Sequence, residues 1–235
     1  MEEVRLYIID TDIFINKELF ESVYCQLDEA RQQKIDRAKF DADKRRSLGA
    51  GYLLKAALDE LEIKIGDREL AYGEHGKPYL PLCPQVRFNL SHSARFVALA
   101  INVAAIELGC DIEEYSNKKT IKTLENVSRR VLSDKEKSML GEPASENDTE
   151  WKQKFYDIWT AKESYVKLTG KGLGTDFRKL ELSQNEDNTT ITDVDSGDCR
   201  YIFKKKIADG YSFSLCLENK DVIISNPIIP SLLQK

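Results

Sequence analysis

Residues 109–113 read Gly109-Cys110-Asp111-Ile112-Glu113. Acidic and apolar residues alternate here with a period of two, the signature of a β-strand whose successive side chains point to opposite faces. Asp111 and Glu113 then share one face while Ile112 enters the core. Two neighbouring carboxylates repel each other unless a cation joins them. A few hard oxygen donors suit Mg²⁺, which keeps several waters and completes its shell with substrate phosphates. Taken alone, Asp-x-Glu also fits a solvated strand edge.

The elements around this strand give the fold class. Upstream, residues 4–9 predict a strand and residues 17–37 a helix, with Leu19, Phe20, Val23, Leu27 and Ala30 at helical spacing. A long helix is expected over 42–61, with Leu48, Tyr52, Leu53, Ala56, Ala57 and Leu61 as its buried stripe. The Gly- and Pro-rich stretch 65–84 predicts turns. Residues 88–90 and 96–102 predict two strands around a polar turn. Downstream, a helix is expected over 118–127. Ser133-Asp134-Lys135-Glu136 has the form of a capping box. Residues 141–149 read as a loop, and a strong helix follows over 149–168, closed by Gly170. Short strands are expected at 177–183, 189–194, 199–207 and 211–218. The order strand, helices, strands occurs twice. It predicts an α+β fold of two halves, 1–105 and 106–220, with a tail at 221–235.

Composition narrows the classes of function. The chain has 235 residues, 41% of them hydrophobic and 32% charged, enough for a large core without disulfide or metal staples. A net charge of −5 counts against nucleic acid as the main partner. A basic stretch, with Arg31, Lys34, Arg37, Lys39, Lys44, Arg45 and Arg46, still suits a small polyanion. The five cysteines form no C-x-x-C pair, which points to a reducing compartment. With neither a signal-peptide pattern nor an apolar run of membrane-spanning length, a cytoplasmic protein is expected.

Three further segments carry chemistry. In Trp159-Thr160-Ala161-Lys162-Glu163-Ser164-Tyr165-Val166-Lys167, the residues Trp159, Glu163, Val166 and Lys167 fall on one side of a helix. Glu163 and Lys167 also fit a simple i,i+4 ion pair. Phe88-Asn89-Leu90-Ser91-His92-Ser93 places one of the two histidines among small donors, which suits a phosphate cradle; a structural turn fits equally. Adjacent residues rarely serve each other as nucleophile and base, which weighs against a Ser–His pair. Gly76-Lys77-Pro78 is neither a P-loop nor a dinucleotide fingerprint.

Together these segments resemble the 4′-phosphopantetheinyl transferases of the surfactin-synthetase-activating type. Gly109–Glu113 matches that family's G-x-D-x-E strand, Trp159–Lys167 its W-x-x-K-E-S-x-x-K helix, Phe88–Ser93 its F-N-x-S-H-S segment. Arg46, Ser47, Leu48 and Leu53 match its R-S-L-x-x-x-x-L helix start, and Gly76-Lys77-Pro78 its G-K-P turn. The resemblance implies a monomeric pseudo-dimer of two similar α+β halves, with coenzyme A in the cleft between them. It assigns Mg²⁺ to Asp111, Glu113 and Glu163. By the same resemblance Lys162 and Lys167 lie near the pyrophosphate, Ser91 and His92 contact it, and Arg46, with Lys34 and Arg31, meets the 3′-phosphate. Lys77 and Pro78 would flank the cofactor. A serine of an apo acyl or peptidyl carrier protein would attack the β-phosphate, and Glu163 or a metal-bound water would take its proton. Docking of that carrier is expected within 115–150, with Lys118, Lys119 and Lys122 as charged contacts. The alternatives are a phosphohydrolase using the same carboxylates and a non-catalytic carrier-binding module.

Overall fold

Alternation in strand β1 (Glu3–Asp10) sets up the layers. Tyr7 and Ile9 enter a core shared with Leu48, Leu53 and Ala57 of helix α3 (Asp41–Glu60), whereas Val4, Leu6 and Ile8 enter a second core on the other face. Strand β5 (Phe96–Asn102) divides its side chains in the same way, with Val97, Leu99 and Ile101 toward α3 and the small Ala98 and Ala100 toward the second core. Facing them across that second core are Leu108, Cys110 and Ile112 of β6 (Leu108–Glu114) and Phe213, Leu215 and Leu217 of β10 (Tyr211–Leu217). Helix α6 (Thr149–Thr169) covers the outer face, where Tyr165, Val166 and Leu168 pack on Cys216, Ile191 and Leu180. The layers therefore run helix, sheet, sheet, helix in this computed structural model, which describes residues 2–64, 66, 68–115 and 119–230.

The remaining elements complete an α+β fold of two units. Short β2 (Ala71–Tyr72) and β3 (Pro78–Tyr79) pair only with each other, and β4 (Arg87–Ser93) is antiparallel to β5. Helices α4 (Ile121–Val131) and α5 (Asp134–Leu140) precede α6. Strands β7 (Leu180–Gln184), β8 (Thr189–Asp193) and β9 (Cys199–Lys204) follow it, and β11 is Ile223–Ile224. One sheet has the order β11-β1-β5-β4 and the other β6-β10-β9-β8-β7. Residues of the tail thus pair parallel with β1, Glu3 opposite Ile223 and Val4 opposite Ile224.

Two expectations need correction. The helix expected over 17–37 is broken into α1 (Lys17–Tyr24) and α2 (Glu29–Asp36), because the Asp28 carboxylate accepts from Arg31 N at 2.9 Å and starts a new helix. The polar turn expected at Ser91-His92-Ser93 is strand: β4 continues to Ser93, and the reversal falls after it, where Ala94 takes φ +49°.

β4 and β6 are edge strands of different sheets, and side chains join them. Asn89 Oδ1 accepts from Cys110 N at 2.9 Å, Ser91 Oγ from Ile112 N at 3.3 Å and Ser93 Oγ from Glu114 N at 3.0 Å. Every second residue of β4 thus satisfies every second backbone N–H of β6, groups that would otherwise be buried without partners.

The other face of β6 carries Gly109, Asp111 and Glu113, and α6 lies directly on Gly109. A methyl group there would overlap Ser164 O and Leu168 N and stand 2.9 Å from the Lys167 carbonyl carbon. All three atoms are backbone, so none can swing aside. Gly109→Ala should therefore lower stability by about 3 kcal/mol or more. The denaturant midpoint checks this; a midpoint equal to that of the unaltered protein would contradict it.

Candidate active site

The face of β6 that carries Asp111 and Glu113 forms one wall of a hollow of about 290 Å³. It is lined by Leu90, Ser91, His92, Asp111, Glu113, Trp159, Glu163 and Lys167. Both sheets and α6 contribute. Helix α6 is capped at its start by Asp148, whose carboxylate accepts from Trp151 N at 2.9 Å, and at its end by Gly170 in the left-handed conformation. Trp159, Glu163 and Lys167 recur every four residues and so face the hollow together.

Ser91 is the hub. Its hydroxyl donates to Asp111 Oδ1 at 2.8 Å and accepts from Lys167 Nζ at 2.8 Å and from Ile112 N at 3.3 Å. A serine hydroxyl has one donor and two acceptor positions, and here all are used. Its hydrogen lies on Asp111, so His92 does not draw it off as a base would. Lys167 Nζ also reaches Asp111 Oδ1 at 2.6 Å. Ser93, which sequence reasoning did not assign to the site, donates to Glu113 Oε2 at 2.7 Å. Its signal was the period-two recurrence Asn89, Ser91, Ser93.

The acids and cations of the hollow perturb one another. Glu163 is pushed up to about 7 from 4.5 by burial first and then by the charge of Asp111, with a smaller push from Glu113 and Lys167 opposing. Glu113 is also raised, by burial, although its hydrogen bond from Ser93 works against this. Burial opposes the charge on Lys167, but Asp111, Cys110 and Glu163 together outweigh it and the ammonium is held above its ordinary value. His92, exposed at the rim, is lowered by the protein that displaces its water and then by Arg46 and Lys167.

Asp111 Oδ2 is buried and has no hydrogen-bond partner. An orphaned carboxylate oxygen beside two further carboxylates, each raised by burial and less by repulsion, fits a site for a cation. Among the described residues, no three acidic, His or Cys side chains form a metal cage of their own.

The other residues singled out from sequence are distributed as follows. Arg46 reaches the β4–β5 reversal, donating to Ala94 O at 2.9 Å and pairing with Asp43, within electrostatic range of His92. Arg31 and Lys34 line a cleft of about 490 Å³ with Leu27, Leu54, Arg68 and Tyr72. Lys77 and Pro78 line a different cleft of about 680 Å³. There Lys77 Nζ is held by Leu168 O at 3.0 Å, Leu108 O at 3.2 Å and Glu107 Oε2 at 3.4 Å. The expected placement of Lys162 near a pyrophosphate is corrected. Its side chain is 0% exposed and pairs with Glu136 behind the helix, because consecutive helical residues point about 100° apart. Lys119 and Lys122 line a groove with Glu125, Glu146 and Lys152; Lys118 lies outside the described residues.

Comparison with known proteins adds the following. The family profile described as the 4′-phosphopantetheinyl transferase superfamily matches residues 107–216. The profile described as 4′-phosphopantetheinyl transferase, N-terminal, matches residues 16–104. The chain is 27% identical over 220 residues to the 4′-phosphopantetheinyl transferase Sfp of Bacillus subtilis (strain 168), covering 93% of this chain and 94% of that one. It is 30% identical over 160 residues to the 4′-phosphopantetheinyl transferase psf-1 of Bacillus pumilus, covering 67% and 64%. Against the L-aminoadipate-semialdehyde dehydrogenase-phosphopantetheinyl transferase of Mus musculus it is 28% identical over 178 residues, covering 72% and 56%.

The raised Glu163 has a consequence for stability. With the folded-state value near 7 and an ordinary value of 4.5, the fold favours the protonated acid. That preference is fully present below the ordinary value and is lost as pH rises through about 7. In chelator-treated protein, Glu163→Gln should therefore gain roughly 1–3 kcal/mol over the parent at pH 8 and almost nothing at pH 5. Denaturant midpoints of the two proteins across that range provide the check, and parallel curves would contradict the assignment.

Proposed function

The chain belongs to the 4′-phosphopantetheinyl transferase superfamily, and from that premise we propose that this hollow moves the phosphopantetheine arm of coenzyme A onto a serine of an apo acyl or peptidyl carrier protein. The serine oxygen bonds to the β-phosphorus, the pyrophosphate bond breaks, and 3′,5′-ADP leaves. The observation that carries the reading is the pairing of an orphaned Asp111 oxygen with a fixed ammonium on the same carboxylate. A place for a cation and a permanent positive charge sit side by side, as a pyrophosphate substrate requires.

In this reading Asp111, Glu113 and Glu163 would hold Mg²⁺, which when bound neutralises charge on the two phosphates. Lys167 and His92 bind the pyrophosphate oxygens and fix the scissile bond. Ser91 and Ser93 orient the carboxylates through the hydrogen bonds they donate. Arg46 meets a phosphate at the rim. Glu163 or a water held beside it would receive the serine proton. Arg31 and Lys34 belong to a second anion position on the N-terminal half, and Lys77 and Pro78 to the neighbouring cleft, where the cofactor's non-reacting parts would lie.

Both walls of the site come from one chain, which supports a monomeric enzyme. Free cysteines support a reducing, cytoplasmic setting. Among the described residues no helix is long and apolar enough to cross a membrane. The groove with Lys119, Lys122 and Lys152 is the docking surface that an acidic carrier would favour.

The reading predicts that the purified protein, given coenzyme A and Mg²⁺, adds the mass of one phosphopantetheinyl group to an apo carrier, and that a chelator abolishes the gain. Intact-protein mass spectrometry over a panel of carriers reads the result. No gain with any of them would reject the transferase reading, and release of 3′,5′-ADP without a carrier would favour a phosphohydrolase. Arg46→Ala should raise the KM for coenzyme A about tenfold or more, the worth of one charge-assisted contact; an unchanged KM would remove Arg46 from the cofactor site.

A further inference from the structure

Lys162 sits one residue from Glu163 and faces away from the hollow. Its ammonium has three donors, and the fold supplies three acceptors: Val131 O at 2.9 Å, Phe177 O at 2.8 Å and Glu136 Oε2 at 2.5 Å. Glu136, 2% exposed, is occupied in turn. It accepts from Ser133 N at 2.8 Å as part of the α5 capping box and from Leu182 N at 3.3 Å. One buried ion pair thus ties the end of α4, the start of α5, the middle of α6, β7 and the 3₁₀ turn Phe177–Lys179.

The link through Phe177 leads back to the site. Its ring stacks on Trp159 with centroids 5.7 Å apart and planes 16° apart. Trp159 continues along α6 to Phe155 at 6.2 Å and Trp151 beyond it. Trp159 also lines the hollow beside Glu163. The carbonyl that Lys162 holds therefore belongs to the residue that braces the aromatic wall of the site. On the same helix, the three bonds of Lys162 fix the rotation of α6 about its axis, and with it the heading of Glu163.

We propose that Lys162 is a positioning residue: with Glu136 it locks the azimuth of α6 and presses Phe177 against Trp159, and it makes no phosphate contact. The inference rests on the reading of the hollow given above, since only that reading says what is being positioned.

The double variant Lys162→Met/Glu136→Gln removes both charges and keeps one side-chain oxygen for Ser133 N, giving up only the longer contact from Leu182 N, so no charge is left buried and unpaired. It is compared with the parent in a Trp151→Phe background, where Trp159 is the remaining one of the chain's two tryptophans. In the folded double variant kcat should fall about tenfold or more while the KM for coenzyme A stays within about twofold, the pattern of lost positioning and not lost binding. Trp159 emission should shift to the red and become more accessible to acrylamide before any substrate is added. A folded double variant with unaltered kcat, or with a raised KM and unaltered Trp159 emission, would overturn the proposal. The unmutated protein offers the same contrast without any question of folding. Under brief acetic anhydride labelling Lys162 should stay unmodified with or without coenzyme A, while Lys167 is protected by it. Labelling of Lys162 that coenzyme A suppresses would overturn the proposal too. Emission and labelling need no turnover, so a failure of the transferase reading, seen as an absence of transfer, is distinguishable from a failure of this one.

Discussion

The constraint on which the site depends is the contact of two backbones at Gly109. No side chain separates β6 from α6 there, and the helix rests on the strand through Ser164 and the Lys167–Leu168 peptide. A strand residue and the one two positions on share a face, so the seat of the helix fixes what Asp111 and Glu113 see next. Because the seat lies at Lys167–Leu168, the ammonium of Lys167 lands on Asp111, and Glu163, one turn earlier, faces the same carboxylates. Gly109 sets the helix along its length, and the buried Lys162–Glu136 pair sets its rotation. Each controls a degree of freedom that the other leaves open.

The second organising feature is economy of polar groups at the margin between the sheets. β4 offers Asn89, Ser91 and Ser93 to the free N–H groups of β6, and the two serine hydroxyls turn their hydrogens onto Asp111 and Glu113. The same atoms that join two edge strands therefore aim the carboxylates. Interior hydrogen bonds of this kind gain strength from low local dielectric and are costly when broken. Stability of the joint and geometry of the site cannot be altered separately at Ser91 or Ser93.

Much of this was legible in the sequence, and the failures share a cause. The alternation Asp111-Ile112-Glu113, the four-residue spacing of Trp159, Glu163 and Lys167, the capping box at Ser133 and Glu136 and the closing Gly170 are local signals, and the structure has them where the sequence put them. Asn89-x-Ser91-x-Ser93 imitated a turn because its hydrogen-bond partners lie about twenty residues downstream on β6; polar residues facing a polar strand edge carry no hydrophobic periodicity. Lys162 and Glu163 are neighbours in sequence but point about 100° apart on the helix, and the presence of Glu136 behind it decides which of them meets the site. Arg31, Lys34 and Arg46 form one basic stretch on paper; in the structure the first two stand on α2 and line a cleft, while Arg46 stands on α3 and reaches the β4–β5 reversal.

The parallel pairing of β1 with Ile223–Ile224 extends further, with Ile228 exchanging backbone hydrogen bonds with Leu6 and Ile8 at 2.7 and 2.9 Å. During synthesis the first strand of the chain therefore emerges long before its outer neighbour exists. Until then the sheet built on β1 has an open edge, and the two-sheet core has one margin unsealed. Contacts of such long sequence separation close late because the loop entropy must be met before they reward it. The nascent N-terminal unit must stay soluble with an uncapped edge while the rest is made, and strand addition by another chain is the hazard it faces in that interval.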